Sequence, residues 1–177
     1  MRTFSVNGIK LIEMFEEREY EVYPDSGGAL TIGIGHLLTK SNRTSGKIKA
    51  KDKNGVEYYI RYNRKLNDTE VEDILRADLA VAEEIVNKEV KVILTQYQYD
   101  ALVSFTFNVG NTAFKDSTLL KLLNKSKYDD VPTQMRRWNR DNGEIVSGLI
   151  NRREKEIKVW ENRMEIENLQ LPYSELK

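Results

Sequence analysis

Glu16, Asp25 and Thr31 are the residues whose types and order point most directly to chemistry. Asp25 follows Glu16 by nine residues, and Thr31 follows Asp25 by six. Two carboxyl groups facing each other across a groove are what glycoside hydrolysis requires. One donates a proton to the leaving oxygen while the other, ionised, works on water or on the anomeric carbon. Spacing alone is weak evidence for such a pair, because a chain with 28 acidic side chains offers many Glu–Asp combinations.

The glycines around Asp25 and Thr31, in "YPDSGGALTIGIGH" (residues 23–36), allow other readings. A phosphate-binding loop needs Gly-Lys-Ser/Thr at the start of a helix, and a dinucleotide fingerprint needs spaced glycines between strand and helix. Neither context is present. A hairpin fits better: "DSGG" supplies turn residues, and "ALTIGIG" alternates as a strand does. Leu30, Ile32 and Ile34 then face a core, while Thr31, Gly33 and Gly35 leave an open wall where another group can approach the backbone.

The elements that must hold these residues are mostly helical. Ile9, Ile12 and Phe15 predict a short amphipathic helix ending near Glu16 and Glu17. Asn54-Gly55 between two β-compatible runs predicts a second hairpin. Asn67 with Glu70 has capping-box spacing. It opens a long stripe through Val71, Ile74, Leu75, Leu79, Ala82, Ile85 and Val86. Thr95 with Gln98 opens another apolar helix through Leu102, Phe105 and Phe107, and shorter helices are expected after "KDST", "KYDDVP" and "VSGL". The layout is an α+β, mostly helical chain. It has a small β-containing lobe over 1–66, a connecting helix over 68–90, a helical lobe over 91–163 and an acidic tail over 164–177.

Composition excludes several classes. The chain has 177 residues, 40% apolar and 32% charged, with 28 basic and 28 acidic side chains and no net charge. That balance argues against a general nucleic-acid binder. Without cysteine and with a single histidine, no metal site and no thiol chemistry are expected. No cofactor is implied. No stretch approaches about 18 consecutive apolar residues, so no membrane insertion is expected. The start lacks the apolar run of a signal peptide, so cytoplasmic synthesis is expected. Charge is uneven locally, with nine Lys/Arg against two acids from Lys40 to Lys65, and six acids against one Arg from Glu13 to Asp25.

"FEEREYEVYPDSGGALTIGIGHLLT" resembles the catalytic region of the phage-type lysozymes, glycoside hydrolase family 24, including the Glu–Asp–Thr spacing. The resemblance continues through "LRADLAVAEEIVN", "LTQYQYDALVSFTFNVGNTAFKDSTLLKLLN" and "RRW…GLINRREKE", covering roughly residues 8–163 in order. It implies a lysozyme-like fold of two lobes joined by a long helix, with the substrate cleft between them. It also implies cleavage of the β-1,4 bond between N-acetylmuramic acid and N-acetylglucosamine in peptidoglycan, with inversion.

Carried over by position, Glu16 is the general acid, Asp25 orients or activates water, and Thr31 helps hold that water. His36 falls where the family pairs a histidine with an aspartate of the long helix, here Asp78, in a structural role. Leu37, Phe107 and Ser117 fall at cleft-lining positions, although Phe107 also reads as a plain core aromatic. Arg152, ahead of Arg153, is placed to pair with Glu16, and Trp138 reads as core. The chain departs from the family in having Glu17 where a glycine is usual, in a longer 41–66 segment, and in its neutral charge.

The resemblance further implies an endolysin acting as a monomer on peptidoglycan glycan strands. It would wait in the host cytoplasm until a holin opens the way to the periplasm and wall. An inactive lysozyme-fold module that binds peptidoglycan or acts as a scaffold is the alternative. A lytic transglycosylase, which needs only the acid, is disfavoured by the presence of Asp25 and Thr31.

Overall fold

In chain order the elements are α1 (Val6–Glu13), β1 (Glu19–Pro24), β2 (Leu30–Gly33), β3 (His36–Leu37), α2 (Lys40–Ser45), β4 (Lys47–Lys51), β5 (Glu57–Arg61) and α3 (Asp68–Glu89). They continue with α4 (Gln96–Val109), α5 (Asn111–Asp116), α6 (Thr118–Leu123), a 3-10 turn (Tyr128–Asp130), α7 (Val131–Arg136), β6 (Arg140–Asp141), β7 (Glu144–Ile145) and α8 (Ser147–Trp160). The structure, a computed structural model, describes residues 2–25, 28–141 and 143–163. The expected tail over 164–177 lies outside them. The chain is α+β and mostly helical.

Two compact units emerge, one over Glu13–Val81 and the other from residues up to Ile12 together with those from Ala82 on. The small lobe expected over 1–66 therefore gives up its first twelve residues to the helical unit. The cause is polar: Phe4 N donates to Glu83 Oε1 at 2.5 Å, and Ser5 donates to the buried Asp100 through N at 3.1 Å and Oγ at 2.5 Å. Ser5 Oγ also accepts from Gly8 N at 3.1 Å and so caps α1. A Cβ on Gly8 would lie 2.7 Å from the Phe4 ring, so a larger residue there forces the ring aside.

In the Glu13–Val81 unit, β1, β2 and β3 form an antiparallel sheet with β2 central. Thr31 lies opposite Tyr23 on one side and Leu37 on the other. A separate ribbon pairs β4 with β5, from Lys47 opposite Arg61 to Lys51 opposite Glu57. The predicted Asn54-Gly55 turn closes it: Asp52 Oδ1 accepts from Asn54 N and Val56 N at 2.8 Å each, and Gly55 takes φ +85°. Ile32, Ile34, Ile48, Ala50, Ile60, Val71, Ile74, Leu75 and Leu79 are buried. Each such Ile, Leu or Val side chain stabilises the fold by about 1.5–3 kcal/mol. Asn67 caps α3 as expected, its Oδ1 accepting from Glu70 N at 3.0 Å while its own N donates to Glu70 Oε2 at 3.1 Å.

Several boundaries differ from expectation. α1 stops at Glu13 rather than near Glu16, because Arg18 folds back onto Glu13 and reaches Asp68 at 2.9 Å, turning the chain between them. β2 ends at Gly33: Gly33 and Gly35 take φ of +68° and +71°, which turns the chain into β3 where a continuous strand was expected. Leu30, expected in the core, is 39% exposed.

In the helical unit α8 packs on α4. Phe105 is the hub, edge-to-face with Phe114 at 6.5 Å and with the half-buried Trp138 at 5.8 Å. Thr95 and Gln98 form the predicted capping box of α4. The helix after "VSGL" is not short: α8 has 14 residues.

Candidate active site

Glu16 lies in the turn after α1, half-buried, whereas its neighbour Glu17 is exposed. A Cβ on Gly35 would lie 3.4 Å from Oε2 of Glu16 and 3.6 Å from its carboxyl carbon. The carboxyl group therefore rests on a stretch of bare backbone, which only glycine supplies at φ +71°.

Asp25 follows the last residue of β1. Its Oδ1 accepts from Ala29 N at 2.8 Å, its N donates to Ala29 O at 2.8 Å, and its carbonyl accepts from Gly28 N at 2.9 Å. Thr31, only 4% exposed, donates from Oγ1 to the same Ala29 carbonyl at 3.2 Å. One residue thus holds both groups: the Ala29 N–H fixes the Asp25 carboxylate and the Ala29 carbonyl fixes the Thr31 hydroxyl. Nothing in the type or spacing of Ala29 signals this, because the link runs through its backbone.

The surroundings are strongly negative. The Tyr23 phenol is held above its ordinary pKa, first by burial and then by the charges of Glu19, Glu16, Asp25 and Glu17. One half-exposed tyrosine therefore senses both candidate catalytic carboxylates.

The remaining candidates separate by unit. His36 and Asp78 belong with Glu16, Asp25 and Thr31: His36 Nδ1 lies 2.8 and 3.0 Å from the two Asp78 carboxylate oxygens, tying β3 to α3. Leu37, 53% exposed, projects from β3 opposite Thr31 in the ladder. Phe107, Ser117 and Arg152 belong to the helical unit. Phe107 is half-buried on α4. Ser117 is buried and its Oγ accepts from Leu120 N at 3.0 Å, which makes it the N-cap of α6.

Arg152 lies 3.3 Å from Glu156 within α8, and Arg153 approaches the same carboxylate at 2.9 Å. Ser104 Oγ donates to Glu156 Oε1 at 2.7 Å, Arg153 donates to Asn108 Oδ1 at 2.7 Å, and its guanidinium sits 4.9 Å from the Phe105 ring centroid. Burial raises the Glu156 pKa above the ordinary carboxylate range, against the pull of both arginines, and lowers that of Arg153. This buried cluster escaped the sequence reading, since Glu156 in "RREKE" has the appearance of a solvated helix face.

Comparison with known proteins gives a consistent picture. The family described as phage lysozyme matches residues 13–156. An endolysin of Acyrthosiphon pisum secondary endosymbiont phage 1 is 33% identical over 162 residues, covering 89% of this chain and 97% of that one. An endolysin of Bacillus phage PZA is 34% identical over 151 residues, covering 84% of this chain but only 51% of its own length. The chain thus spans about half of the PZA protein and nearly all of the endosymbiont phage protein. Among solved structures, the endolysin from Escherichia coli O157:H7 phage FAHEc1 superposes with a TM-score of 0.74 at 32% identity, over 92% of this chain and 96% of that one.

Proposed function

The chain belongs to the phage lysozyme family, a family of enzymes with this lysozyme-like α+β fold, and we propose that it is an endolysin that hydrolyses peptidoglycan. The bond cut is the β-1,4 linkage between N-acetylmuramic acid and N-acetylglucosamine. Glu16 gives its proton to the glycosidic oxygen as the C1–O bond breaks. Asp25 orients a water molecule and takes one of its protons as the oxygen adds to C1 from the opposite face, inverting that centre. Thr31 steadies that water beside Asp25, and Leu37 offers an apolar surface to a sugar ring.

The observation that carries this reading is the Ala29 bridge between Asp25 and Thr31. A carboxylate and a hydroxyl fixed through one residue form a preorganised pair of acceptors, each able to take a proton of the same water. A lytic transglycosylase has no need of that pair. The half-buried Glu16 on the Gly35 backbone, with Glu17 in solvent, supports Glu16 as the acid.

Turbidity loss of purified Gram-negative peptidoglycan tests the reading. The wild-type chain clears the suspension and Glu16→Gln does not; a folded wild-type chain that clears nothing overturns it in favour of an inactive wall-binding module. In the cell we place the enzyme in the host cytoplasm until a holin opens the membrane. No helix among the described residues is long and apolar enough to cross a membrane. Lysis on expression of this chain alone contradicts the dependence on a holin.

A further inference from the structure

The β4–β5 ribbon contributes none of the groups assigned to catalysis, and its two faces differ completely. Strand register places Ile48, Ala50, Tyr58 and Ile60 on one side and Lys47, Lys49, Lys51, Glu57, Tyr59 and Arg61 on the other. The first face is mostly packed away: Ile48, Ala50 and Ile60 are buried, and Tyr58, 36% exposed, donates to Asp73 Oδ2 of α3 at 2.6 Å. The second is open to solvent, with Tyr59 68% exposed at its centre between Lys49 and Arg61. It carries four cations against one carboxylate, in a chain whose total charge is zero. Glu57 pairs with Lys49 at 2.8 Å. Among the described residues no carboxylate pairs with Lys47, Lys51 or Arg61.

Four cations on one face of five-residue strands repel one another, and the packing of the ribbon does not require them. Alternate strand positions are about 7 Å apart, which makes the face a regular row of point charges around an aromatic ring. Lysine ammonium groups suit dispersed carboxylates, whereas planar bidentate recognition calls for arginine. The face presents a single aromatic and no aliphatic side chain, so it has little to insert into a lipid surface.

We propose that this outer ribbon face is a docking surface for the stem-peptide carboxylates of peptidoglycan, separate from the glycan-cleaving residues. The proposal rests on peptidoglycan being the substrate. Docking through exposed charges raises the local concentration of enzyme on the wall while leaving bond cleavage to Glu16 and Asp25. It also supplies electrostatic attraction without net charge, and it weakens with salt, because the screening length falls to about 10 Å at 0.1 M.

The test is co-sedimentation of the full chain, on ice, with three particles: native sacculi, sacculi whose peptide carboxyls are amidated with carbodiimide, and phosphatidylglycerol vesicles. The proposal predicts salt-sensitive retention on native sacculi and about tenfold weaker retention on amidated ones. The variant K47Q/K49Q/K51Q/R61Q should lose about as much on native sacculi, while K47R/K49R/K51R, which keeps the charge, should retain binding. Cleavage of a short peptide-free glycan oligomer by K47Q/K49Q/K51Q/R61Q should match the wild type. Equal retention on native and amidated sacculi overturns the proposal, as does stronger retention on the vesicles, and the wild-type chain alone delivers both results if a variant misfolds. Charge-dependent binding without cleavage would instead sink the enzymatic reading and leave the docking surface standing.

Discussion

The carboxyl group of Glu16 lies against the backbone of Gly35, so close that a Cβ there would sit 3.4 Å from its Oε2. The contact joins the turn after α1 to the turn between β2 and β3, and Gly35 meets it at φ +71°. Gly35→Ala should therefore be strained by its backbone conformation. The left-handed backbone costs about 1–2 kcal/mol for a residue with a Cβ, and relief of that strain would shift the turn on which the Glu16 carboxyl rests. Thermal unfolding should show the stability loss, and clearing of peptidoglycan should fall further than that loss explains. Full activity in the folded variant would mean that the Glu16 position is not set by this contact.

Asp25→Asn keeps an oxygen that can accept from the Ala29 N–H, so its fold should persist. Its clearing rate should drop by about 10²–10⁴-fold, the usual worth of a positioned acid–base group. Thr31→Val removes one hydrogen bond to Ala29 O, which still accepts from Asp25 N. Its cost in stability should be about 1 kcal/mol, with a separate loss in rate. Circular dichroism alongside turbidity separates the two effects.

Glu156→Ala should be severe. It leaves Arg152 and Arg153 without their shared buried carboxylate and removes the acceptor of Ser104. Breaking a buried charge cluster on one side costs about 3–5 kcal/mol, a large share of the stability of a small protein. Denaturant titration should place this variant well below Lys158→Ala, which changes an exposed position of the same helix.

Acid should weaken the start of α3. The Arg64 guanidinium, followed by the Asn67 N–H, holds the Glu70 pKa below its ordinary range, and the Tyr20 hydroxyl followed by Arg18 does the same for Asp68. A lowered native pKa means that the contribution is present at neutral pH. It is lost as pH falls from about 4 through the native values. Unfolding curves between pH 6 and 3 should lose stability over that window, and Glu70→Gln should flatten the decline. An unchanged pH profile in that variant would contradict the assignment.

What the sequence made legible follows from how each signal is written. The caps of α3 and α4 are spelled out by Asn67 with Glu70 and by Thr95 with Gln98, since capping is a local side-chain event. The Asn54-Gly55 hairpin is legible for the same reason. α2 was missed because its six residues, "KSNRTS", bury nothing and so carry no apolar period; its Thr39–Asn42 box lacks the usual Glu or Gln. β1 is hard to read because its burial does not alternate and its register shifts between Glu19 and Tyr23. The triad of Glu16, Asp25 and Thr31 stood out by type and order, whereas Ala29 and Gly35 act through their backbones and leave no mark in residue chemistry. The family resemblance marks Ser117 as a cleft-lining position, and its hydroxyl caps α6.

Mass spectrometry of the fragments released from purified peptidoglycan tests the central claim most directly. Wild-type chain should release fragments ending in reducing N-acetylmuramic acid, one water heavier than the 1,6-anhydro form, and Glu16→Gln should release none. Anhydro ends, or equal release by the variant, would contradict hydrolysis driven by Glu16.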